Sequence, residues 1–126
     1  MKYQKPHLDK QFEEELEPLC AAIALYADMR CQVLFGCELT VTSVFREKTT
    51  DSGIHALLRA VDMDNDKDLT PEQKQELCDM INDIFVYDVG RKNFKVCKYH
   101  SVGGTWGGDH LHIQIHPATR QRIYPK

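Results

Sequence analysis

The sequence predicts a small α+β domain with a mostly antiparallel sheet and flanking helices. Three observations predict it. Apolar residues recur at helical spacing near the N-terminus, separate stretches alternate with the period of a strand, and a well-formed helix start lies between those stretches. The resulting order is helix, strand, short strand, helix, strand, strand. A chain of 126 residues suits one domain, residues 1–126, long enough to bury a core without disulfides.

Phe12, Leu16, Leu19, Ile23 and Tyr26 mark an amphipathic helix over roughly residues 9–30. The acidic run EEELE lies near its N-terminus, where the helix dipole favours negative charge and a solvated face accounts for it. Glu38 to Phe45 (ELTVTSVF) is β-branched and alternating, hence a strand. REKTTDSG is a polar loop, and the short apolar stretch Leu57 to Met63 is a strand or a helix end. Thr70-Pro71-Glu72-Gln73 starts a helix, with Thr70 as N-cap, Pro71 at the first helical position and Gln73 placed for a capping box. Leu77, Met80, Ile81 and Ile84 carry it to about Tyr87, and Gly90 can end it. Asn93 to His100 (NFKVCKYH) alternates as a strand, SVGGTWGG is a turn or loop, and Leu111 to Ile115 (LHIQI) is the last strand.

Composition excludes several classes of function. The formal charge of −3 leaves no basic footprint for nucleic acid. No apolar run reads as a membrane span, so no membrane partner is expected. The polar start MKYQKPHLDKQFEEELE lacks the apolar segment of a signal peptide. Synthesis in the cytoplasm is expected, with any release to the cell wall needing a separate route. The five cysteines are odd in number and show no CxxC spacing, which points to buried free thiols in a reducing compartment.

The stretch AVDMDNDKDLTPEQ resembles a calcium loop over 62–73, with ligands Asp62, Asp64, Asp66, the Asp68 carbonyl, Thr70 and Gln73. Lys67 stands where a glycine is needed for the sharp turn. Gln73 stands where a bidentate carboxylate is needed. Asp64, Asp66 and Asp68 therefore read better as a polar turn ahead of the capped helix.

Of six histidines, His7 and His116 read as surface residues and His100 as a strand end. His110 and His112 face one side of a predicted strand, just after Asp109. His55 stands seven residues before Asp62. His55, Asp62 and His112 together offer two imidazoles and a carboxylate, a donor set that suits a catalytic zinc ion. Asp109 is a carboxylate available as general base.

Three motifs stand in order: TSVFR (Thr42 to Arg46), HALLRAVD (His55 to Asp62) and DHLHIQI (Asp109 to Ile115). Together they resemble the zinc peptidases that cut peptidoglycan stem peptides. That family comprises the D-alanyl-D-alanine carboxypeptidases and dipeptidases and the L-alanyl-D-glutamate peptidases of phage endolysins. Its pattern is an aromatic-Arg strand end, then Ser-x-His-x-x-Gly-x-Ala-x-Asp, then a carboxylate three residues before a final His. The resemblance covers roughly residues 36–116 and implies the Hedgehog/DD-peptidase fold. It implies a Zn2+ cofactor on His55, Asp62 and His112, with Asp109 as catalytic carboxylate and Arg46 on the substrate side. His110 would be a catalytic or neighbouring partner in the HxH arrangement. The implied substrate is a peptidoglycan stem peptide, and the implied origin is cellular, phage or prophage. Trp106 is either a cleft wall or core. Gly53 replaces the family's Ser and Leu58 its Gly. The rival expectation is a non-catalytic metal-binding module, zinc-stabilised or holding calcium at 62–73.

Overall fold

In the computed structural model, described residues are 1–44, 59–100 and 110–122, with only the backbone of His100. The expected α+β class holds. A five-stranded mixed sheet carries the fold, with a separate two-stranded sheet beside it. The strands are β1 (Lys2–Tyr3), β2 (Thr40–Val44), β3 (Ala60–Asp64), β4 (Phe85–Val86), β5 (Cys97–His100), β6 (His110–Gln114) and β7 (Arg120–Gln121). The large sheet runs β1-β2-β3-β6-β5 and the small one pairs β4 with β7. Three of the large sheet's pairings are antiparallel; β1 joins β2 in parallel.

The expected N-terminal helix is divided. Pro6–Lys10 forms α1, which runs into a π-helical stretch at Gln11–Glu15, and α2 spans Pro18–Phe35. Pro18 explains the break. It has no N–H for the preceding turn and forces Glu17 out of helical backbone, and Glu17 sits at φ −50°, ψ 129°. Gly36, left-handed at φ 71°, ends α2.

Contrary to expectation, α2 is long and apolar enough to cross a membrane by length and composition. Asp28 and Arg30 are its only charged residues, which produces that reading. Cys20, Ile23, Ala24, Ala27 and Cys31 nevertheless form a buried face, as in a core helix. Asp28, also buried, accepts the Leu39 N–H at 2.8 Å and the Gln32 side-chain amide at 2.8 Å. It thereby ties α2 to the approach of β2.

The helix α3 (Pro71–Ile84) starts as expected. The Thr70 Oγ1 accepts the Gln73 N–H at 3.1 Å, and the Gln73 Oε1 accepts the Thr70 N–H at 2.9 Å. It stops at Ile84 rather than near Tyr87, because Phe85–Val86 pairs with β7. The fifth strand is shorter than the alternation of Asn93–His100 implies.

Val41, Val44, Val61, Met63, Leu111 and Ile113 join the helices' apolar residues in one buried cluster. Alternation then turns Asp62, His110, His112 and Gln114 to the opposite face. A bulge tunes this arrangement. Pairing passes from Val41↔Met63 to Ser43↔Asp62, which leaves Thr42 as an extra residue. Val41 and Val44, three apart, can therefore both be buried while Ser43 stands opposite Asp62.

Candidate active site

The site begins with strand register. Asp62 on β3 and His112 on β6 are fifty residues apart in sequence yet are direct cross-strand partners. Their side chains share one face, and His112 Nδ1 lies 2.7 Å from Asp62 Oδ1. Both residues are buried. The other carboxylate oxygen of Asp62 lies 3.6 Å from His110 Nε2, so one carboxylate stands between two imidazoles. The Thr42 hydroxyl at the bulge donates to the backbone carbonyl of Asp62 at 3.3 Å.

Gln114 fixes the protonation of His112, a role that sequence reasoning missed. Its side-chain N–H donates to the Lys95 carbonyl at 3.0 Å, which turns its Oε1 toward His112 Nε2 at 3.2 Å. An amide oxygen only accepts, so His112 Nε2 carries the proton. Nδ1 then meets a carboxylate oxygen at 2.7 Å, a hydrogen-bond distance that is attractive with a proton on Nδ1; zinc held by both atoms at about 2.0–2.1 Å would replace that proton and part them. This arrangement fits a metal ligand: the coordinating nitrogen faces a second donor while the other nitrogen is held by a hydrogen bond behind it. The signal was available in HLHIQ, since period two places Gln114 on the face of both histidines.

Among the described residues, no group of three or more His, Cys, Asp or Glu side chains is arranged to hold a metal ion. Two of the three expected zinc ligands, Asp62 and His112, are brought together, with His110 beside them. His55, Arg46 and Asp109 lie outside the described residues, as do Gly53, Leu58 and Trp106.

The calcium-like loop is committed elsewhere. The buried ammonium of Lys74 lies 2.7 Å from Asp64 and 2.5 Å from Asp66. Its hydrogen bond holds the Asp66 carboxyl below the usual range, whereas burial raises Asp64. Asp62 is paired with His112, while Thr70 and Gln73 spend their oxygens on the helix cap. Asn65 accepts the Asp68 N–H at 3.0 Å, completing the polar turn. An internal cation, Lys74, thus occupies the acidic loop.

A cavity of about 470 Å³ beside α3, β4 and β7 contains none of the expected site residues. Its cationic rim is partly engaged. Arg122 donates to the carbonyls of Asp83 and Asn82, and Arg91 lies near Asp88 and over the Phe94 ring.

Comparison of the chain with family models, with curated proteins and with solved structures finds no match.

Proposed function

We propose that the chain is a zinc-dependent peptidase that hydrolyses an amide bond of peptidoglycan stem peptides, built on the Hedgehog/DD-peptidase fold. The observation that supports it best is the convergence of Asp62 Oδ1 and His112 Nδ1 at 2.7 Å, with Gln114 behind the imidazole. In this reading His55, Asp62 and His112 hold the metal. Bound zinc supplies Lewis acidity and activates water at neutral pH. The carboxylate of Asp109 takes a proton from the attacking water and returns it to the leaving amine nitrogen. Arg46 offers planar donors to the oxyanion or to a substrate carboxylate. His110, whose Nε2 lies 3.6 Å from Asp62, is a neighbouring partner of that carboxylate. The candidate bonds are D-Ala-D-Ala, L-Ala-D-Glu and cross-bridge amides.

The test pairs elemental analysis with mass spectrometry of a muropeptide set incubated with the purified chain. One zinc per chain and one cleaved bond type are expected, with cleavage lost in Asp109→Ala. Full zinc occupancy retained in His55→Ala and His112→Ala rejects the ligand set. Bound zinc with every stem peptide intact favours a zinc-stabilised, non-catalytic module instead.

A further inference from the structure

We propose that Cys78 and Cys97 are a disulfide-forming pair, a covalent modification site whose co-reactant is a glutathione-type disulfide. Their sulfur atoms lie 2.9 Å apart, and both residues are buried. Unbonded carbon atoms rest about 3.5–4.0 Å apart, and sulfur is larger, so these thiols are closer than packing alone places them. A disulfide needs about 2.05 Å between the sulfurs, an approach of under about 1 Å from the observed contact.

The backbone around the pair is held independently of the thiols. Asn82 lies one turn beyond Cys78 on α3. Its side chain donates to the Cys97 carbonyl at 2.8 Å and accepts the Cys97 N–H at 2.9 Å. Cys97 is thereby clamped to the helix that carries Cys78, and both cysteines belong to regular elements rather than loops. The other three cysteines differ. Cys31 and Cys37 lie 3.7 Å apart, an ordinary contact for unbonded sulfur, and Cys20 faces the Ile113 carbonyl at 4.0 Å.

The chemistry balances with the named oxidant. One cysteine thiolate attacks oxidised glutathione, forming a mixed disulfide and releasing one glutathione thiol. The second cysteine attacks the protein-side sulfur of that intermediate and releases the second glutathione. The protein gives up two electrons and two protons, and one disulfide is reduced to two thiols. Burial raises the Cys97 thiol well above its ordinary value, with the Cys78 hydrogen bond adding to it. The folded, reduced chain therefore reacts slowly. The bond forms as α3 docks on β5, when the clamp brings the two sulfurs together and oxidant still reaches them, and the finished fold then shields it from reductant. None of this depends on the peptidase reading.

The full chain is reduced and unfolded, refolded in a glutathione redox buffer, quenched with an alkylating reagent and mapped by mass spectrometry. A Cys78–Cys97 linked peptide is expected as the main product, with Cys20 alkylated. The bond spans a sequence separation of 19, so its closure raises Tm by about 10 °C over the reduced form. The same link must form in Cys37→Ser, where the Cys31–Cys37 contact is removed. Both cysteines alkylated after refolding, or linkages as scrambled as those formed in denaturant, overturn the proposal.

Discussion

At the scale of single residues, the site depends on Gln114 as much as on its charged neighbours. The amide holds the His112 Nε2 proton, so Nδ1 is the nitrogen presented to Asp62. Gln114→Leu keeps the side-chain bulk and removes the acceptor. Zinc affinity is then expected to fall about 10–100-fold, as when other outer hydrogen bonds to ligating histidines are lost. Competition with a chromogenic chelator measures this, and unchanged affinity would count against Nδ1 ligation. The Lys74–Asp66 contact makes a separate prediction with a definite sign. The folded pKa of Asp66 is lowered, chiefly by its hydrogen bond to Lys74. Its contribution is therefore complete above the unfolded value of about 3.9 and is lost as pH falls through the lower folded value. Wild type is expected to be more stable than Asp66→Asn at pH 7, with the gap closing in acid below that value. Urea unfolding at a series of pH values checks it; a gap independent of pH would assign the effect to packing. Asp66 is largely exposed, so the gap itself is small.

At the scale of elements, legibility followed how local the determining physics was. The start of α3 was readable because a capping box is written within four residues, Thr70 to Gln73. Thr70→Ala removes the Oγ1 acceptor and is expected to lower stability by about 1 kcal/mol. For a domain of this size that lowers Tm by about 3–5 °C, measurable by thermal unfolding followed by circular dichroism. A shift under about 1 °C would mean that tertiary packing, rather than the cap, holds the first turn. The division between α1 and α2 was also written locally, in Pro18, but the apolar spacing that continues from Phe12 to Tyr26 obscured it. The strand β1 was not legible. Lys2–Tyr3 has no alternation to read, and its pairing with Thr40 and Val41 is made across nearly forty residues. The Thr42 bulge was hidden for a related reason. An extra residue in a strand shows itself only against its partner, here as the step from Met63 to Asp62.

At the scale of the whole molecule, two distant motifs become one site through register alone. Asp62 and His112 could be named from donor chemistry and spacing, but their pairing belongs to the β3–β6 ladder, which no local pattern encodes. A one-residue slip would turn one of them into the core and expose Val61 or Ile113 in its place. The buried cluster on the opposite face therefore holds Asp62 and His112 in position, and under the proposed function metal binding is linked to global folding. Zinc at about 1,000 times its Kd adds about 4 kcal/mol to a folded state that binds it when the unfolded chain does not. That corresponds to a rise in Tm of about 15 °C for a chain of this length, reversed by a chelator. In Asp62→Asn and His112→Gln the zinc-dependent shift is expected to disappear, whatever the variants' own starting stabilities. The comparison within each variant separates lost coordination from lost packing. It also separates this site from zinc held by cysteine thiols, because all five cysteines remain in both variants. A full shift surviving in both would move the metal away from the β3–β6 pair and leave their 2.7 Å contact as a buried ion pair within the sheet.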